Sequence, residues 1–255
     1  MSWISLREYQ NEIEKQLDQD QSEAAILHCQ HILVRFPKNL VIYRLLGQAY
    51  LLDQKYSDAR DIFLRLLSSV PDDFTAHLGL ALLREDEGKM DAAVWHLERA
   101  YEVKPASQVV KAELSRLYTE KNGDKQQVRL SRAALGRMYL AGRCYDQAIA
   151  ELQVAQKENP QHLEILVLLA ETYDQSRAYQ EAILTSQAVL SKLPYSLVAN
   201  RILFQAALQD GNPEVALPYR QRLQELDPYW AYVTPAIPDP DQVPDHAVEL
   251  EKMKQ

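Results

Sequence analysis

The sequence predicts an all-α fold: a solenoid of about six antiparallel helix pairs, with one unpaired helix in the middle. Three observations lead there. Apolar residues recur at spacings of three, four and seven, the period of helices and not of strands. Prolines close successive segments at a fixed interval, with Pro37, Pro71 and Pro105 spaced 34 apart and Pro160, Pro194 and Pro228 spaced likewise. Only seven glycines occur in 255 residues and 47% of the chain is hydrophobic, so a large helical core is expected rather than a turn-rich β architecture.

The first segment, near 6–39, is the least regular. Tyr9, Ile13 and Leu17 mark its first helix, and Ala25, Cys29 and Ile32 its second. An irregular terminal unit suits an end of a stack, where one face meets water; Trp3 and Ile4 are expected to fold over it. Segments 40–73 and 74–107 follow in register, and Ser57 and Asp91 stand where a second helix would want an N-cap acceptor. These three units make a first block, 1–107. The interval from Pro105 to Pro160 is 55, one repeat plus 21. The surplus, 108–128, begins as a first helix (Leu114, Ser115, Tyr118), meets the turn Lys121–Asp124 and passes directly into another first helix. An odd helix in an antiparallel stack is expected to bend or re-phase it. The register resumes at 129–162, 163–196 and 197–230, a second block of 129–230. In the last unit Asn212-Pro213 is a cap followed by proline at the first helical position, and Pro218 lies deeper, where it should bend the helix start. The remainder, 231–255, is acidic and proline-rich. Within it 238–245 is expected to be extended or disordered and His246–Gln255 to form a short helix. Trp230, Tyr232, Val233 and Ile237 are too apolar to stay solvated, so they should cover the last helix pair or enter a groove of the same or another copy.

Within 40–73, Leu46, Gly47, Tyr50, Ala59, Phe63, Leu66 and Pro71 occupy positions 7, 8, 11, 20, 24, 27 and 32 of a 34-residue frame. This pattern resembles the tetratricopeptide repeat, and it recurs in six frames along the chain. Its steric sense is plain: Gly47 admits the second helix close to the first, Tyr50 fills the space beside it, and Ala59 offers a small opposing face. Tyr50, Tyr139 and Tyr173 share one frame position, and Tyr56, Tyr145 and Tyr179 another, so both sets are read as core. Trp95 falls outside the usual core set and is read as packing on a neighbouring helix.

The resemblance implies a right-handed superhelix and a concave groove lined by positions 2, 5, 9 and 12 of each first helix. The partner-binding residues it implies are Val41, Arg44, Gln48 and Leu51, then Leu78, Leu82 and Glu85, then Leu130, Arg137 and Leu140, then Val167 and Glu171, and finally Arg201 and Gln205. Family members that grip a peptide carboxylate carry Asn at position 6. Here that position holds Leu45, Gly79, Ala134, Leu168 and Ile202, with Asn11 the single match, so the groove suits an amphipathic helix or an extended apolar segment.

Chemistry is sparse. No nucleophile elbow, HExxH or glycine-rich phosphate loop occurs, so no catalytic residue and no cofactor is expected. His28, Cys29 and His31 have metal-ligand side chains, but no further ligands accompany them, and no metal is expected. A net charge of −8 with no basic run argues against nucleic acid. No apolar run reaches membrane-spanning length. Two distant cysteines and the absence of a secretory leader point to a reducing, cytoplasmic setting. The expected function is therefore a non-catalytic scaffold or adaptor that binds a protein or peptide in its groove. The alternative is a self-assembling module that forms a homo-oligomer through the C-terminal tail.

Overall fold

The computed structural model describes residues 3–123, 127–234 and 236–253. Among these residues there are thirteen α-helices and one two-stranded ribbon. In a first arm, α1 (Leu6–Asp18) pairs with α2 (Ser22–Arg35), α3 (Leu40–Leu52) with α4 (Tyr56–Leu67), and α5 (Phe74–Asp86) with α6 (Met90–Val103). The unpaired α7 (Gln108–Asn122) follows and ends at Gly123, whose φ of +79° favours glycine. Asp124, the last residue of the expected turn, lies outside the described residues. A second arm pairs α8 (Arg132–Ala141) with α9 (Tyr145–Glu158), α10 (Leu163–Gln175) with α11 (Tyr179–Leu190), and α12 (Leu197–Gln209) with α13 (Pro213–Leu226).

The repeat frame governs how the helices start, stop and pack. Most first helices begin three residues after the closing proline, behind a side-chain cap, and α8, which no closing proline precedes, is capped likewise. Asn39 Oδ1 accepts from Ile42 N (3.0 Å), Asp73 Oδ1 from Ala76 N (2.9 Å) and Ser131 Oγ from Ala134 N (3.1 Å). The second helices start differently from the expectation. Ser57 and Asp91 sit inside the first turns of α4 and α6, and their N-cap positions, Lys55 and Lys89, make no side-chain cap. The turn geometry supplies the break instead, through one left-handed residue in each helix hairpin: Asp20, Gln54, Gly88, Arg143, Arg177 and Gly211. At the close approach of α3, α4 and α5, the Phe63 ring lies between Gly47 and Gly79, and a Cβ on either glycine would overlap it. Asn212 caps α13 with Pro213 in its first turn, and the helix continues through Pro218 to Leu226.

The tyrosines expected in the core are half-buried or exposed instead, Tyr139, Tyr56 and Tyr179 being 38%, 44% and 48% exposed. They are amphipathic and keep the hydroxyl in reach of water or a polar partner. Three residues at frame position 11 bond the same site one repeat earlier: Gln30 Nε2 donates to Tyr50 Oη (3.1 Å), Gln153 Nε2 to Tyr173 Oη (2.9 Å), and Tyr118 Oη to Glu98 Oε1 (2.7 Å).

The unpaired α7 packs on α6 through Val110, Leu114 and Leu117, and Val128 returns to the same core. α8 then packs against α6 as well, so the chain changes course and the second arm lies against the first. Leu197 N donates to Ser69 O (3.0 Å), Arg137 pairs with Asp72 (2.6 Å), and Lys38 pairs with Glu225 while lying over the Tyr195 ring (3.7 Å).

The tail closes the molecule. Trp230 meets Phe204 edge-on at 5.9 Å and, with Val233, packs on Ala216 and Leu223 at the last repeat. The chain then runs back to the first repeat, where β2 (Glu249–Glu251) pairs antiparallel with β1 (Trp3–Ser5) and Ile4 stands opposite Leu250. Val243, Val248 and Leu250 join the core of Ile4, Leu6, Tyr9 and Ile13. In place of the helix expected from His246 there is a 3₁₀ turn (Asp245–Ala247) and the strand β2, because alternate residues find an open edge beside β1. The segment expected to be extended or disordered carries a 3₁₀ turn at Pro240–Gln242. Ile4 covers the first repeat as expected; Trp3 points outward, 62% exposed.

Candidate functional site

Because the arms face each other, the concave positions do not form one continuous groove. A cleft of ≈ 730 Å³ opens between them. α3 contributes Val41 and Arg44, α10 contributes Glu171, α12 contributes Val198, Arg201 and Gln205, and the tail contributes Trp230 and residues 238–242. Five of the expected groove residues, Val41, Arg44, Glu171, Arg201 and Gln205, therefore share one site.

The other nine are separated. Leu140 and Val167 are core residues, 8% and 2% exposed, because the arms' own helices cover them. Leu78 lies partly buried against the core shared by α5, α6 and α7, and Leu51 lies partly buried against the first-arm core. Glu85 is held by Arg116 of α7 at 2.6 Å. Arg137 is turned to Asp72 in a small crevice at the junction of the arms. Gln48 and Leu82 are exposed outside the cleft, and Leu130 lies with Met138 beside Pro105 in a shallow surface depression.

The charges of the cleft are largely matched internally. Arg44 pairs with Asp73 (2.7 Å), and Arg201 with Asp174 (3.3 Å) and Glu171 (3.9 Å). Desolvation raises the Glu171 carboxyl above its ordinary range, with Arg201 opposing the rise. Burial likewise raises Asp227, whose carboxylate accepts from Tyr229 N (3.1 Å). What is left to a ligand is an apolar floor of Val41, Val198, Leu197 and Leu226 between fixed polar rims. Trp230 both covers the last helix pair and lines the cleft of its own chain, the two placements expected for the tail, whereas Asp227 and the wall of residues 238–242 were not foreseen. Proline-rich composition signals an extended segment but not where it lies.

A second cluster sits where the arms join. His77, His96 and His162, far apart in sequence, converge around Trp95 and Arg99. His77 Nε2–H donates to the Pro71 carbonyl (2.8 Å), which leaves its Nδ1 to accept from His96 Nδ1–H (3.0 Å). Both rings are thereby held neutral, and desolvation pushes His96 down to about 3. Arg99 spans the joint, bonding Glu102 at 2.9 Å and His162 Nδ1 at 3.1 Å. Among the described residues, no group of three or more His, Cys, Asp or Glu side chains is placed to hold a metal. His28 accepts from Tyr9 Oη (2.7 Å), and His31 donates to the Glu251 carbonyl (2.8 Å), so both serve the tail contact.

The tetratricopeptide repeat model matches residues 44–108 and 133–196, just over half the chain. The chain belongs to the tetratricopeptide-repeat family. Among solved structures it is similar to YrrB, described as a TPR protein with an unusual peptide-binding site (15% identity over 75% of this chain and 88% of that one, TM-score 0.41). It is also similar to a tetratricopeptide repeat protein from Parabacteroides merdae (15% identity, 86% and 77% covered, TM-score 0.38) and to the Cut9–Hcn1 structure of APC/C (17% identity, 88% and 46% covered, TM-score 0.39). No curated protein matches the chain. The tetratricopeptide fold is a protein-interaction scaffold, typically without catalytic function. No helix among the described residues is long and apolar enough to cross a membrane.

Proposed function

We propose that this protein is a non-catalytic adaptor that takes a helical or extended apolar segment of a partner protein in the cleft between its arms. The observation that supports this reading is the cleft itself. It is open, its floor is aliphatic, and its arginines are already paired within the chain. A ligand there gains from burying apolar surface and leaves no protein charge stranded. The thiols Cys29 and Cys144 are both free, which suits a reducing, cytoplasmic setting. Self-assembly through the tail is the weaker reading, because Trp230, Val233, Val248 and Leu250 are already buried within their own chain.

The test is partner capture from the source lysate with three proteins: wild type, a cleft variant (Val198→Lys, Gln205→Trp) and a control on an exposed helix surface (Leu184→Lys). A protein retained by wild type and the control but lost from the cleft variant is the expected result. Identical captures by all three would exclude the cleft.

A further inference from the structure

The face of the first repeat that receives the tail is built like a peptide-binding surface. Residues 238–253 cross it as a strap of two short 3₁₀ turns and the strand β2. Main-chain pairing joins β2 to β1, and Leu6 N donates to Val248 O (2.9 Å). Side chains of the helices hold strap carbonyls: Arg7 Nη1 bonds Val243 O (2.7 Å), Arg7 Nη2 bonds Pro240 O (2.6 Å), and His31 bonds Glu251 O. Three aliphatics, Val243, Val248 and Leu250, enter the core below, and Arg7 reads the Asp245 carboxylate at 2.8 Å. Most of these polar contacts go to backbone, which any extended chain offers. Sequence is read at the acidic residue, at the aliphatics and at Lys252, which Glu12 of α1 holds at 2.6 Å.

We propose that this face is a second peptide-binding surface, filled in cis by the strap. It fits an extended partner segment of the same chemistry: an acidic residue followed three and five positions later by aliphatics, as in Asp245, Val248 and Leu250. The strap's hold suits exchange. A three-residue ribbon is marginal alone, and the strap's two ion pairs, Arg7 with Asp245 and Lys252 with Glu12, are partly open to water, the Asp245 side chain being 63% exposed. Residues 238–242 of the strap also wall the cleft. A segment that displaces the strap therefore opens that wall, and the two surfaces are coupled through one element.

The test uses the full chain and a labelled peptide with the sequence of residues 238–253. A Val248→Asp, Leu250→Asp variant, with helicity checked by circular dichroism, carries a vacated face. It is expected to bind the peptide about tenfold or more tighter than wild type, whose strap competes at high effective concentration. Arg7→Ala in that background should then weaken binding by about tenfold, as loss of charge-assisted bonds requires. Equal binding to wild type and variant, or binding indifferent to Arg7, overturns the proposal. Should the variant lose helicity, wild type is treated with peptide carrying a photoreactive group in place of Val248. Crosslinks confined to β1 and α1 support the proposal, and crosslinks elsewhere, or none, overturn it. A wild-type dimer that forms by strap exchange at high concentration would assign the face to a second copy, and would overturn it as an outside partner's site.

Discussion

The two ends of the solenoid are closed by the same tail with a different balance of apolar and polar contacts. At the last repeat the closure is mainly apolar and local: Trp230 and Val233 lie on Phe204 and Leu223, only a few residues after α13 ends, with one bond from the Arg220 guanidinium to the Ala231 carbonyl. At the first repeat it is more polar and distant in sequence, with Arg7 holding two strap carbonyls while three buried aliphatics and a three-residue ribbon seal the edge. A repeat stack must shield both terminal faces, and this chain does so with one segment of about twenty-five residues. The contrast teaches that covering a face and closing a molecule are separable tasks. Apolar burial is strong and insensitive to salt, whereas the strap's grip depends on a guanidinium that solvent partly reaches.

That contrast can be broken most severely at the apolar end. Trp230→Ala should cost about 3–5 kcal/mol, as large aromatic truncations in cores do, and urea unfolding would show it. A loss below 1 kcal/mol would mean that the last repeat does not depend on its cover. At the polar end, Arg7→Ala should cost about 1–3 kcal/mol, through carbonyls left without a charged donor. Its signature should be local, with faster hydrogen exchange at Leu6 and along β1 and unchanged helicity. An equal acceleration throughout α10–α13 would contradict separate ends.

Acid should sharpen the difference. Met253 N donates to Tyr9 Oη (3.3 Å), which donates in turn to His28 Nδ1, so the relay needs a neutral imidazole. Desolvation lowers the His28 pKa, with Lys252 adding to the effect and Glu12 opposing it. A depressed folded pKa means that the unfolded chain binds the proton more readily. The stabilisation is therefore present above the ordinary value of 6.5 and is lost as pH falls through the lowered one, by at most about 1.4 kcal/mol per pH unit. Exchange at the strap should rise on acidification before exchange at Trp230, and a His28→Phe chain should lack that early phase. The smallest effect lies in the hairpin turns. Arg177, at φ +66°, occupies a conformation that glycine adopts without strain. Arg177→Gly should gain about 0.5 kcal/mol once the greater freedom of the unfolded glycine chain is deducted. A loss in thermal melting would show that the arginine side chain does more than bridge the turn.

Some repeated devices were hidden because chemistry, not residue identity, recurs. The residue at frame position 4 bonds the carbonyl of the closing proline in three repeats: Tyr43 to Pro37, His77 to Pro71, and Asn200 to Pro194. Tyrosine, histidine and asparagine share no hydrophobicity class, so a pattern of apolar letters passes over them. The convergence of His77, His96 and His162 was hidden for another reason. His162 starts the second arm's α10 and reaches the others only because the arms turn toward each other.

The sequence by itself determined the helices, the 34-residue frame, the close packing at Gly47 around Phe63, and the interruption after Pro105. These follow from local sterics and from the period of apolar residues, which act within one or two repeats. The tertiary structure alone decided that the arms face each other, that only six concave residues (Val41, Arg44, Glu171, Val198, Arg201 and Gln205) share a cleft, and that the tail returns to β1. Such contacts join residues far apart in sequence, from 65 positions between Asp72 and Arg137 to 236 between Arg7 and Val243. They depend on small rotations accumulated from repeat to repeat, and on an odd helix whose effect on direction no local pattern encodes.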